Sequence, residues 1–274
     1  MSPELTHEIA FAPTSSKTRM LDVVRSEFTK LRTVRSTYWS FLMTFVLVVG
    51  LSILIPSAIV SQWDQRPARE QVGFDPTAIG LAGVFLGQLA IGVLGVLVIT
   101  NEYSTGSIRV SLAAVPQRLR MLWGKVAVFS AVSVVVGLIG TYVAFFGSQA
   151  IFASKDAAAQ LGDPGVTRAV LGAALYLTLV GLLGLGIGGI VRRTPAAISI
   201  LVALLLVVPI LVNFLPSSWQ APIARYLPGA AGQSIFAVQQ TAGTLSPTNG
   251  LIVLLIWVAV SLTTAALLIV RRDA

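Results

Sequence analysis

The chain has 274 residues, 55% hydrophobic and only 11% charged, with a mean hydropathy of +0.85. Soluble domains carry about 25% charged residues, so this deficit excludes a chain made mostly of water-exposed surface. The formal net charge is +8. Its basic residues flank apolar stretches, where membrane topology is decided, and no basic face with aromatic or polar readers remains for nucleic acid.

Residues 1–17 are polar, lack the apolar core of a signal peptide, and read as a disordered cytoplasmic tail. Residues 18–36 follow as an amphipathic interface helix. Met20, Leu21, Val24, Phe28 and Leu31 recur at three- and four-residue spacing, and Arg25, Lys30, Arg32 and Arg35 take much of the remaining surface. Such a helix lies on the inner leaflet; the alternative is a soluble cytoplasmic helix.

Residues 37–274 form a six-span domain. A membrane helix needs roughly 20 apolar residues. Six stretches qualify, at about 38–60, 79–100, 126–153, 169–191, 195–215 and 250–270, and none contains Asp, Glu, Lys or Arg. The fold class expected is therefore an all-α integral membrane protein. Gly83/Gly87 and Gly184/Gly188 have small-xxx-small spacing, which supports helix packing without locating a dimer interface. Pro56 and Pro209 are expected to kink the first and fifth spans.

Lys and Arg set the orientation. Fourteen of the 19 lie before the first span, between spans two and three, between four and five, or after the sixth. The other five are Arg66, Arg69, Lys155, Arg168 and Arg225. The richer side is cytoplasmic, and both termini lie on it.

The second cytoplasmic segment, Asn101 to Gly124, is too long for a tight turn. Asn101 or Ser104 is placed to cap a short helix that Pro116 ends, with Ile108, Leu112 and Val115 on one face. Glu102 and Arg109 supply opposite charges there. The plainer reading is a loop that only joins two spans. The outer connection, Pro216 to Asn249, carries Trp219, Tyr226 and Phe236 and a single charge, Arg225. Its aromatic residues suit the membrane interface, and it sits on or dips into the outer leaflet unless it is an ordinary extracellular loop.

No enzyme reading survives. His7 is the only histidine, there is no cysteine, and the spans offer no acid or base to activate a nucleophile. Gly124-Lys125 lacks the upstream Gly and the following Ser or Thr of a phosphate loop. Ion-driven transporters usually place ionisable groups inside the membrane. The bare spans favour a membrane part driven from outside, by a cytoplasmic ATPase.

Three segments resemble the membrane subunits of ABC type-2 exporters, six-span permeases of actinobacterial type. RSEFTKLRTVRSTYW (Arg25 to Trp39) is similar to the elbow helix before the first span. EYSTGSIRVSLAAVPQR (Glu102 to Arg118) resembles the segment after the second, and SSWQAPIARYLPGAAGQSI (Ser217 to Ile235) the outer segment before the last. The resemblance implies a cytoplasmic coupling helix seated on an ATP-binding subunit encoded elsewhere, with Glu102, Tyr103, Thr105, Gly106, Ile108 and Arg109 at the contact. It implies outer re-entrant helices gating the exit, with Trp219, Tyr226, Leu227 and Pro228 in the gate. It further implies a second permease subunit, identical or not, ATP bound on the partner with no cofactor in this chain, and location in the bacterial inner membrane among its lipids. The competing readings are an ion-gradient-driven secondary transporter or channel and a non-transporting membrane anchor.

Overall fold

A computed structural model describes residues 20–33, 35–67, 73–106, 118–241 and 243–271, which contain no strand. The helices are α1 (Met20–Thr33), α2 (Arg35–Ser61), α3 (Pro76–Gly80), α4 (Val84–Ser104) and α5 (Arg118–Phe152). They continue with α6 (Val166–Val191), α7 (Thr194–Val212), α8 (Ser217–Ala224), α9 (Pro228–Phe236) and α10 (Pro247–Arg271). Six of them, α2, α4, α5, α6, α7 and α10, are long and apolar enough to cross a membrane. The expected tail, 1–17, lies outside the described residues.

Two boundaries differ from the apolar runs. The second run splits, because the Asp75 carboxylate accepts the Thr77 and Ala78 N–H groups at 3.0 and 2.9 Å and starts the short α3. Pro76 occupies its first turn, where a missing N–H costs nothing. The spanning helix proper then begins at Val84. The third spanning helix, α5, is already helical at Arg118 rather than starting near 126, with Arg120 and Lys125 inside it. A run counted by hydropathy stops at charges, whereas a helix continues through them wherever they find partners or reach the interface.

α6 is the central helix, buried along almost its whole length, which is why its sequence is apolar all round. α4 crosses it at a glycine-lined contact. A Cβ added to Gly95 would overlap the Gly181 carbonyl, and one added to Gly184 would overlap the Gly92 carbonyl. Gly83 and Gly87 receive Val48 of α2, and Gly188 receives Ile99 and Val96. The small-residue pairs of the sequence thus pack helices within one chain, by close backbone approach.

One polar contact crosses the same core. The Tyr176 hydroxyl of α6 donates to Gln88 Oε1 of α4, and Gln88 Nε2 donates to the Phe85 carbonyl at 2.9 Å. Both side chains are buried, so each supplies the partner that lipid cannot. In α7, Pro209 is preceded by a π-helical turn, Ala203–Val207, in which the Val208 N–H reaches the Ala203 carbonyl. Widening the turn is one way a helix absorbs the backbone bond that proline removes.

The connection between α7 and α10 contains two short helices of different character. α8 is largely exposed, with Trp219 at 62%. α9 is wedged against α6 and α10. Gly232 lies against the Tyr176 ring, and Gly250 of α10 lies against Ala231 and Ser234. Arg168 of α6 donates to the Ile235 and Ala237 carbonyls at 2.6 and 2.8 Å, satisfying the C-terminal end of α9.

Candidate functional site

The start of α5, the end of α6 and the end of α10 meet at one end of the bundle. Arg118 donates to the Ile269 carbonyl at 3.0 Å and Arg192 to the Leu268 carbonyl at 2.8 Å. Both therefore serve the last turn of α10, where cations suit unpaired carbonyls and the helix dipole. Arg192 also lies over the Tyr103 ring, 5.1 Å from its centroid, and Thr194 Oγ1 bonds Thr100 Oγ1 at 2.9 Å. The end of α4 is thereby tied to the α6–α7 corner.

At this end four charges form a cluster that joins α1, α4 and α5. Lys125 Nζ lies 2.6 Å from Glu27 Oε2 and 2.6 Å from Glu102 Oε1. Lys30 Nζ lies 2.8 Å from Glu27 Oε1 and 3.0 Å from Glu102 Oε1. Among the described residues two carboxylates face two ammonium groups, and their charges balance. Burial makes this balance matter. The Lys125 side chain is 2% exposed, Glu27 6% and Glu102 12%, and a charge taken from water without a partner costs several kcal/mol. Side chains tilt toward the N-terminus of their helix, so Lys125, two turns inside α5, reaches back toward the polar end.

The local sequence makes room for this. Val23, Glu27 and Lys30 lie at i, i+4 and i+7 on one face of α1, and that face turns toward α5. Val23 packs on Gly124, where a Cβ would stand 2.7 Å from Val23 Cγ1. The apolar stripe that marked α1 as amphipathic faces the other way: Leu21 is 76% exposed and Phe28 51%. Lys30 feels two opposing effects. Burial pulls its pKa down, but the hydrogen bond and charge of Glu27, then those of Glu102, outweigh it and hold the ammonium above its ordinary range.

The residues expected at the coupling contact fall into three groups. Glu102 is buried in the cluster, and its partners among the described residues are Lys30 and Lys125. Tyr103, half-buried, is under Arg192. Thr105 and Gly106 form the exposed stop of α4. The Thr105 N–H donates to the Asn101 carbonyl at 3.0 Å, and Gly106 takes φ +70, the left-handed conformation of a glycine C-cap. Asn101 and Ser104 lie inside α4, so neither caps a new helix; the backbone there stays helical until Gly106 provides the break. Ile108 and Arg109, with the rest of the segment to Gln117, lie outside the described residues.

Of the outer residues, Trp219 and Tyr226 are exposed, while Leu227 and Pro228 are buried where α9 begins. The Trp257 indole of α10 donates to the Tyr226 carbonyl at 3.0 Å.

Sequence reasoning missed Glu27, Lys30 and Lys125 as a unit. The available signal was Gly124-Lys125, a small residue and a lone cation between apolar residues at the start of a span.

The profile of one family, ABC-2 family transporter protein, matches residues 23–209. That match runs from α1 into α7 and covers more than half of the chain. The chain belongs to the ABC-2 transporter family. No curated protein matches it. As an ABC-2 family membrane protein it has a permease role, and such subunits are typically the non-catalytic membrane partners of an ATP-binding subunit.

Proposed function

We propose that this chain is the permease subunit of an ATP-driven exporter, forming the translocation pathway and taking its energy from a separate ATP-binding subunit. Two such permease subunits pair across the pathway. The termini and the ion-paired end of the bundle face the cytoplasm of a bacterial cell, where Arg and Lys concentrate. No residue of this chain performs catalysis, and ATP is bound and cleaved on the partner.

The observation that carries the reading is the Glu102–Lys125 contact. The segment between α4 and α5 is the expected seat of the ATP-binding subunit, and both of its flanks are held by one buried cluster. A push on that segment reaches α4 and α5 together, and α1 with them, because desolvated ion pairs resist separation. Rigid helices then carry the displacement to the outer end, where α8 and α9 supply the gate through Trp219, Tyr226, Leu227 and Pro228.

Affinity purification of the tagged chain from its native membrane tests this. The expected result is an associated ATP-binding subunit and transport that stops when ATP hydrolysis is blocked. Transport that follows an ion gradient and ignores ATP overturns the reading.

A further inference from the structure

The outward face of α1 and the adjoining faces of α2 and α5 enclose two grooves that share one wall. The first, about 380 Å³, lies between α1, α2 and α5. The second, about 570 Å³, lies between α1 and α5. Phe28, Val132 and Val136 line both, forming a ridge between them. Among the described residues each groove has one charged residue in its lining, Arg32 in the first and Arg25 in the second, and both arginines are exposed. Seven residues separate them along one helix face, about 10 Å at 1.5 Å per residue.

The surroundings restrict what fills these grooves. Their apolar walls belong largely to two membrane-spanning helices. Tyr38 and Trp39 at the start of α2 are 64% and 63% exposed, and exposed Tyr and Trp at a span end mark the headgroup level. Of the two carboxylates of α1, Glu27 is neutralised by Lys30 and Lys125, and Asp22 lines neither groove. Among the described lining residues the charge is positive, beside apolar walls.

We infer that this pair of grooves is a binding site for an anionic glycerophospholipid. Its phosphate sits between Arg25 and Arg32, and its two acyl chains lie on either side of the Phe28 ridge. Charge complementarity selects the headgroup: a basic residue beside an anionic leaflet attracts it by about 1 kcal/mol, whereas a zwitterionic lipid offers no net charge. The bound lipid would hold α1 against α5 from the side opposite the ion-paired cluster. This inference needs the membrane-spanning architecture alone and is independent of ATP coupling.

The test uses the purified full-length chain in detergent, with phosphatidylglycerol or phosphatidylcholine added, and native mass spectrometry to count retained lipid. The chain is expected to retain phosphatidylglycerol at least tenfold better. Each Arg→Gln change at 25 or 32 should weaken retention about fivefold, and R25Q/R32Q roughly thirtyfold, with R25K/R32K restoring most of it. A131W, which fills the second groove without changing charge, should also reduce retention, and R193Q, an exposed arginine elsewhere, should not. Equal retention of the two lipids overturns the inference, as does equal loss in R193Q. So does a lipid-free dimer that A131W dissociates, since a second copy would then occupy the grooves. None of these outcomes requires the ATP-binding subunit, so the lipid site and the exporter reading fail separately.

Discussion

Lys125 Nζ and Glu102 Oε1 stand 2.6 Å apart, inside the bundle, on helices whose junction is the segment 105–117. The contact is not a surface ion pair, which is typically worth 0–1 kcal/mol. Lys125 is 2% exposed and Glu27 completes its coordination from a third helix. Among the described residues, removing Lys125 leaves two buried carboxylates sharing Lys30. The variant that tests this is Lys125→Met, which roughly keeps volume and deletes charge. Breaking a buried pair costs about 3–5 kcal/mol, and a clear fall in the thermal midpoint of the detergent-solubilised protein is expected. Adding Glu27→Gln and Glu102→Gln to Lys125→Met should recover part of that loss. A triple variant no better than the single one would argue against charge as the cause.

Lys30 gives the cluster a pH dependence with a definite sign. Its pKa is raised above 10.5 in the folded protein, because the pull of Glu27 and Glu102 exceeds the effect of burial. A raised folded pKa means that the stabilisation is complete below the unfolded value and is lost as pH rises through the folded one. Lys30→Met should therefore lower the thermal midpoint at pH 8, and the gap to the parent should close above pH 10.5. A gap that stays constant through the alkaline range would assign Lys30 a packing role instead.

The six spans were legible because lipid allows few solutions. A backbone in hydrocarbon must satisfy its own hydrogen bonds, so a long chargeless run has one outcome, and α2, α6 and α10 follow their runs closely. The ion-paired cluster was hidden for the opposite reason. Glu27 sits on an amphipathic helix, where a charge normally reads as part of a solvated face, and its partner Lys125 is 98 residues away in sequence. Periodicity located the apolar stripe of α1 but not the contact face, because Glu27 and Lys30 pair there by charge and only Val23, packed on Gly124, is apolar. Likewise Glu102 read as a residue offered to a partner, yet three elements of its own chain enclose it. The stop at Thr105-Gly106 was present in the sequence, but Asn101 and Ser104 drew the helix boundary too early.

The α4–α6 crossing predicts a contrast among glycines. Gly95→Ala places a methyl group against the Gly181 carbonyl, and Gly184→Ala places one against Gly92. Neither obstacle is a flexible side chain, so the helices must separate. Overpacking of this kind costs about 1–3 kcal/mol, and both variants should lower the thermal midpoint. Gly50→Ala meets nothing within 4 Å and should change stability by less than about 1 kcal/mol. Equal effects at all three positions would remove the crossing as the explanation.

The buried cluster also decides how coupling to an ATP-binding subunit should be probed. Glu102→Lys would set a third ammonium group beside Lys30 and Lys125, so it would damage the fold as well as any docking surface. Ile108→Asp with Arg109→Glu changes one apolar and one charged residue in the segment that follows the Gly106 stop, and leaves Glu27, Lys30, Glu102 and Lys125 in place. If that segment seats the ATP-binding subunit, the double variant should lose co-purification of the partner and ATP-driven transport, while its thermal midpoint stays within about 1 kcal/mol equivalent of the parent, as for surface changes. Glu102→Lys should lose both association and stability. A double variant that still binds its partner and still transports would place the contact elsewhere on the chain, and the Glu102–Lys125 pair would then be a clamp on the bundle with no part in receiving the push.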